Sequence, residues 1–363
     1  MPAQTNKRPW RVLVMGCGSI GTRHIQNLLA LGVGRIIAYD PRPDRLRELQ
    51  ARFPIEIVER LEQAWAAQPT VAVITAPTSL HVPLAFEAAK RGMHLFIEKP
   101  LSDRLDDAVD RLIETVHRQQ LVTLVGCNFR FHPGVRRLKA LCQEGVLGRL
   151  IAARLERGQY LPDWHPGEDY REGYSARRQL GGGTLLDDIH ELDAIRWLLG
   201  EVESVVCFAG KLSRLEIETE DTAEILLRFR SGAIGEIHTD YVQRVYSRTC
   251  QVIGEDGTAR WDYTEGTVRW YSAAAREWTA ISNPPGWQPN DMYVEEMRHF
   301  LTCLVGEEEP LVDVVEGRRT LEVALAAKAS AETSTVVALR CRAPNADREQ
   351  RPAAAVTVTR GSG

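Results

Sequence analysis

Short, continuously apolar runs alternate through the first third of the chain with stretches whose apolar residues recur every three to four positions. The runs predict strands at 11–15, 35–39, 55–58, 71–74, 94–97 and 121–125. The periodic stretches predict helices at 20–31, 44–53, 82–91 and 103–119. Strands apolar on both faces and separated by helices make a parallel sheet covered on both sides. Six of them fit a doubly wound nucleotide-binding domain, assigned to residues 1–127.

After residue 125 the pattern changes. A helix at 135–143 and a strand at 150–157 precede an irregular stretch, 158–183, rich in Tyr, Trp, His, Pro, Arg and Gly. A helix is predicted at 184–199. Six strands follow, at 202–209, 222–229, 233–242, 246–253, 258–263 and 267–271, several joined by tight turns such as Ser231-Gly232, Asp256-Gly257 and Glu265-Gly266. That spacing reads as an antiparallel sheet. Helices near 291–304 and 315–332 close a second unit, 128–340, and the remainder, 341–363, is expected to be mobile.

Composition narrows the partners. Apolar residues are 44% and charged residues 26% of 363, which suits a globular protein. A net charge of -4 argues against nucleic-acid binding, because no basic excess is available to displace phosphate counterions. The longest uncharged apolar stretch, 69–86, is broken by Pro69, Pro77, His81 and Pro83, so no membrane span is expected. The N-terminal apolar run turns glycine-rich at Gly16, unlike a secretion signal. Seven scattered cysteines indicate neither a disulfide framework nor a metal site, and a cytoplasmic location is expected. Of 45 basic residues only Lys7, Lys90, Lys99, Lys139, Lys211 and Lys328 are lysines.

The first candidate chemistry is GCGSIG at 16–21, a G-x-G-x-x-G following a strand and opening a helix, with Asp40 ending the next strand. Gly16 allows a tight turn, Gly18 a close approach to a pyrophosphate, and Gly21 close packing of helix on strand. Ser19 and Ile20 open the helix whose N-terminus favours that negative charge. Asp40 can accept both ribose hydroxyls and repels a 2′-phosphate, which favours NAD; Arg42 leaves NADP as the alternative.

Glu98-Lys99-Pro100 ends the fifth strand, where open α/β sheets bind ligands. In a chain that otherwise prefers arginine, Lys99 suggests a side chain whose proton can be exchanged if burial lowers its pKa. The bland reading is a Glu98–Lys99 pair in a solvated turn. Pro100 is a candidate for a cis peptide bond.

Asp187 and His190 stand three apart in a predicted helix and can share a face, so the carboxylate can orient the imidazole as a general base. Equally, acids in a first turn favour the helix dipole and a helical histidine is often structural. Arg130, Trp164, His165, Tyr174 and Arg177 are candidate substrate contacts. Arg177 suits a substrate carboxylate or phosphate, or else a surface salt bridge.

GCGSIG, TAPTSLH at 75–81, FIEKP at 96–100, GCNFRFHP at 126–133 and GGGTLLDDIHELDAIRWLLG at 181–200 occur in one order. The series resembles the glucose–fructose oxidoreductase / inositol dehydrogenase / MocA family across roughly residues 11–334. The resemblance implies an N-terminal Rossmann domain and a C-terminal α/β domain with an open, mostly antiparallel sheet that often assembles homodimers or homotetramers. It implies NAD(P)-dependent hydride transfer between nicotinamide and a secondary alcohol or ketone of a sugar, sugar derivative or polyol. By the same resemblance Thr75, Pro77, His81, Glu98 and Lys99 line the cofactor. Lys99 and His190 match the family's catalytic lysine and histidine. Asp187 matches its aspartate with a departure, since that residue often stands four positions before the histidine, where this chain has Leu186. Thr78 replaces a common asparagine. Some relatives use bound NAD to hydrolyse glycosides, which is one alternative; a non-catalytic NAD-binding sensor or partner protein is another.

Overall fold

The first sheet forms because its strands are apolar on both faces. In this computed structural model, which describes residues 8–164 and 167–339, Val71–Ile74 is buried throughout, as are Leu95, Phe96 and Ile97 of the neighbouring strand. The elements are β1 (Arg8–Met15), α1 (Ser19–Ala30), β2 (Val33–Tyr39), α2 (Pro43–Arg52), β3 (Glu56–Val58), α3 (Leu61–Ala66), β4 (Val71–Ile74), α4 (His81–Lys90), β5 (His94–Glu98), α5 (Asp107–Arg118) and β6 (Thr123–Gly126). The strands run parallel in the order β3-β2-β1-β4-β5-β6. The order reverses between β1 and β4, and ligands of such sheets bind beyond the strand ends at that crevice. Gly16, Asp40, Thr75 and Lys99 all follow strands there.

The second part comprises α6 (Pro133–Gln143), β7 (Leu150–Gly158), α7 (Thr184–Asp187), α8 (Ile189–Leu199), β8 (Val202–Gly210), β9 (Thr222–Phe229), β10 (Ile234–Asp240), β11 (Ser247–Gly254), β12 (Gly257–Asp262), β13 (Thr267–Ser272), β14 (Glu277–Ser282), α9 (Pro289–Cys303), α10 (Val314–Thr333) and β15 (Val337–Ala338). Nine strands form one sheet, β14-β13-β12-β11-β7-β10-β9-β8-β15, antiparallel except where β7 pairs with β10. Helices α6, α8 and α10 cover one face, over Leu155, Ile237, Val252 and Ala259. On the other face Phe208, Leu226 and Ile234 are exposed among charged neighbours.

Several elements differ from the sequence reading. The predicted helix 184–199 is two helices broken at Asp188, whose backbone (φ -89, ψ 27) leaves the helical region. Helix α3 and strands β14 and β15 are additional. Helix α9 folds back onto α1, placing Met297, Phe300 and Leu301 in a core with Ile25, Leu28 and Phe96. The irregular stretch contains four short 3₁₀ turns and packs Leu161 and Ala176 against Leu215, Ile217 and Tyr241. The tail expected to be mobile lies outside the described residues.

On the open sheet face His238 bridges Asp240 (2.9 Å) and Glu224 (2.7 Å). The hydrogen bond to Asp240 raises its pKa, burial opposes, and Glu224 adds to the rise, giving about 9. A histidine held above its unfolded value stabilises fully below that value, near 6.5, and the gain fades as pH climbs to the folded value. The melting temperature of the wild type is therefore expected to exceed that of His238→Asn at pH 6, and the gap to close by about pH 9. A pH-independent gap in calorimetric scans would contradict this.

Candidate active site

The loop after β1 is tightly turned and crowded at two of its glycines. Gly16 has φ +100, and a Cβ there would lie 2.6 Å from the Ala76 nitrogen. A Cβ on Gly21 would lie 2.0 Å from the Gly16 carbonyl oxygen, so helix and turn could not approach as they do. Thr75 secures the same turn by donating its hydroxyl hydrogen to Gly16 O (2.6 Å). Gly18, by contrast, faces open space, with only Arg45 Nη1 at 4.0 Å. Helix α1 begins at Ser19 and Ile20 with no side-chain cap and no acid in its first turn. Its N–H groups are thus left for an anion. These residues fit a dinucleotide.

Asp40 is buried at the end of β2. It accepts from Cys17 N (2.7 Å) and Arg42 N (2.9 Å), which fixes its carboxylate at the crevice. The Arg42 guanidinium turns away to pair with Asp44 (2.5 Å). Arg45, not singled out from the sequence, is the cation nearest Asp40, at 3.6 Å. Its signal was only its place one turn into α2.

His81 is not presented to the crevice. Its Nδ1 lies 2.7 Å from Pro100 O and its Nε2 2.8 Å from Ala76 O, tying the β4 and β5 exits together. Burial pushes its pKa down. The Lys99–Pro100 bond is cis, as Pro100 suggested. Pro77 precedes the short turn 78–80 between them. Glu98 is buried, 2.7 Å from His24 Nε2, and also accepts from Lys99 N (3.2 Å).

Lys99 reaches across to the second part of the molecule. Its ammonium donates to the Asp187 carbonyl oxygen (2.8 Å) and to Asp187 Oδ1 (2.9 Å), with 17% of the side chain exposed. Burial acts against the charge, but Tyr174, Asp187 and Glu98 outweigh it and hold the pKa above its ordinary value. The direction is opposite to the lowered pKa considered for Lys99.

Asp187 also accepts from Tyr174 through Oδ1, and from Ser175 (2.7 Å) and Tyr241 (3.2 Å) through Oδ2. Burial raises its pKa, yet Lys99 and the Tyr174 and Ser175 hydroxyls prevail and lower it. It makes no hydrogen bond to His190, so the expected orientation of the imidazole by Asp187 is not what the structure contains. The reason is the break at Asp188, which removes the continuous helix that the three-residue spacing assumed.

His190 opens α8 beside this cluster. Its Nδ1 is buried without a partner, and its ring lies 6.3 Å from that of Phe129. Burial, then the charges of Lys99, Arg248 and Arg157, push its pKa well below the ordinary value, so the ring is neutral. Three ion pairs surround it: Lys99–Asp187, Arg157–Asp188 (3.0 Å) and Arg248–Glu191 (2.6 Å). The sequence reading missed Ser175, Tyr241, Arg157, Asp188, Glu191 and Arg248. Burial, with the neighbouring Asp187 and Glu191, outweighs Arg157 and raises Asp188 to about 7.

The candidate substrate contacts divide. Tyr174 is in the site through Asp187. Trp164 lies at its edge, 4.3 Å beneath the Arg157 guanidinium and edge-on to Tyr241. Arg130 is instead a core residue: its fork is closed on Asp193 (2.7 and 2.8 Å) and its third nitrogen donates to Leu311 O (3.1 Å). Arg177 takes the surface alternative, pairing with Glu172 at 2.5 Å. His165 lies outside the described residues.

A doubly wound sheet with this glycine loop, and buried ion pairs beyond its strand ends, fits a dinucleotide-binding protein. Residues 10–127 match the oxidoreductase family with an NAD-binding Rossmann fold, and residues 135–260 match the GFO/IDH/MocA C-terminal domain. The chain belongs to the GFO/IDH/MocA family. It is 31% identical over 352 residues to myo-inositol 2-dehydrogenase of Thermotoga maritima, covering 91% of this chain and 98% of that one. It is 26% identical over 339 residues to scyllo-inositol 2-dehydrogenase (NAD(+)) of Bacillus subtilis, covering 87% and 92%. In structure it resembles levoglucosan dehydrogenase in complex with NADH and L-sorbose (TM-score 0.83, 19% identity, 91% and 99% covered). It also resembles the WlbA dehydrogenase of Bordetella pertussis in complex with NADH and UDP-GlcNAcA (TM-score 0.78, 25% identity, 92% and 100% covered). The chain is thus a member of an oxidoreductase family with an NAD-binding Rossmann fold. Among the described residues no helix is long and apolar enough to cross a membrane.

Proposed function

We propose that this enzyme oxidises a secondary alcohol of a polyol or sugar in the cleft between Lys99 and His190, and reduces the matching ketone in reverse. The observation that carries the reading is the docking of the Lys99 ammonium on Asp187 beside a neutral, uncommitted His190. Bound NAD supplies the hydride acceptor. Gly16, Gly18, Ser19, Ile20 and Gly21 would hold its pyrophosphate, with Asp40 on the adenosine ribose. The Asp40 carboxylate is fixed while Arg42 is occupied by Asp44, which favours NAD over NADP.

Lys99, held by Asp187, donates to the reacting oxygen and stabilises negative charge there. Neutral His190 takes the hydroxyl proton at a ring nitrogen. Asp187 positions Lys99. Inositol and sugar dehydrogenases among the relatives support polyols and sugars as the substrate class. The open sheet face, with Phe208, Leu226 and Ile234 exposed, supports assembly into a homodimer or homotetramer; scattered cysteines with no disulfide spacing support a cytoplasmic location.

The test is NADH formation with NAD or NADP against myo-inositol, scyllo-inositol, levoglucosan and glucose. NAD-linked turnover of at least one is expected. Release of sugar from a glycoside without NADH accumulation would favour the hydrolase instead, and tight NADH binding without any turnover would favour a sensor.

A further inference from the structure

Arg157 and Arg248 are direct cross-strand partners on β7 and β11, both facing the helices. Like charges placed opposite one another destabilise a sheet, so each needs an acid, and Asp188 and Glu191 supply them. The two pairings differ. Arg157 gives a terminal nitrogen to Asp188 and rests on Trp164. Arg248 gives Glu191 only its Nε, while the second Glu191 oxygen is buried with no partner.

A two-bond pairing would have satisfied that oxygen, as guanidinium and carboxylate ordinarily do. Instead the Arg248 guanidinium lies over the Phe129 ring, 3.8 Å from its centroid. Neither terminal nitrogen makes a hydrogen bond among the described residues, and the side chain is 12% exposed. The fork is thus fixed at one end, open at the other, and close enough to His190 to depress its protonation.

We propose that Arg248 determines specificity, and that the substrate is a sugar or polyol acid whose carboxylate is bound by its two terminal nitrogens. This rests on the reading of Lys99 and His190 as the reacting pair and adds the substrate's charge to it. A planar fork fits a carboxylate in two parallel bonds, and a neutral polyol leaves those donors to water. Lys99 and Arg157 each lie on their own acid, so a single negative charge suits the cleft better than a phosphate dianion.

The experiment measures binding of glucuronate, glucose and glucose 6-phosphate to the enzyme–NADH complex by calorimetry, and kcat/KM for the same compounds. Glucuronate is expected to bind at least tenfold more tightly than glucose. Arg248→Lys, which keeps the charge and loses the fork, should cut that ratio several-fold, and Arg248→Gln should bring it near one. Arg248→Gln combined with Glu191→Gln leaves no unpaired acid and guards against misfolding; NADH binding in it should match the wild type. Equal binding of glucose and glucuronate, or equal loss of both in Arg248→Lys, overturns the proposal. Tighter binding of glucose 6-phosphate overturns its choice of carboxylate. Turnover of neutral sugars or inositols without acid preference defeats this inference alone, whereas absence of turnover for these three and for the inositols and levoglucosan defeats the underlying reading as well.

Discussion

Lys99→Met is expected to lower turnover by about 10³–10⁴-fold, because it removes both a preorganised donor and a positive charge from the reacting oxygen. NADH affinity should stay near the wild-type value, since the glycine loop, the start of α1 and Asp40 are untouched. The fold should survive at a cost of about 3 kcal/mol, since Asp187 loses its counter-charge but keeps Tyr174, Ser175 and Tyr241 as donors. Methionine also approximates the length of the lysine stem. Steady-state rates beside a fluorescence titration of NADH separate loss of chemistry from loss of cofactor. Lys99→Arg should not restore turnover, because a planar fork cannot take the place of a compact ammonium between the carbonyl and carboxylate oxygens of Asp187. Near-normal turnover in Lys99→Met would remove this residue from the mechanism.

The first sheet was readable because its inner strands, such as β4 and β5, are buried on both faces and so appear as unbroken apolar runs. The glycine loop was readable for a related reason, since backbone crowding at Gly16 and Gly21 admits no side chain. Strand β14 was not: all six of its residues are exposed, so no alternation marks an inner face. The partner of Asp187 was misjudged because a spacing rule for one continuous helix was applied across two. The break follows from Asp188 turning inward to Arg157 and Thr184, contacts that linear sequence does not display. Arg130 and Arg248 make the same point. Both are arginines in a polar setting, but tertiary structure closes one fork on Asp193 and leaves the other open. Register, which puts Arg248 opposite Arg157, decides the matter.

Asp187→Asn tests how Lys99 is held. The substitution keeps the shape of the side chain and removes its charge. The Ser175 and Tyr241 hydroxyls can rotate to accept from an amide nitrogen, but an ammonium can only donate. Lys99 would therefore keep its side-chain partner only if the amide oxygen faces it, and would lose its counter-charge either way. Breaking a buried pair from one side costs about 3–5 kcal/mol, so a loss of stability near the lower end is expected in chemical denaturation. The acid contributes stability above its unfolded pKa that is lost as pH falls through its lowered folded value. The variant should accordingly lose least, relative to wild type, in strong acid. The second readout is kinetic. With Asp187 neutral, burial of Lys99 is opposed only by Tyr174 and Glu98, and its pKa falls. A basic limb should then enter the pH profile of kcat/KM below the ordinary lysine range, where the wild type has none from this group. A merely structural aspartate would lower stability without moving that limb, and an unchanged profile would show that Lys99 owes its charge to something other than Asp187.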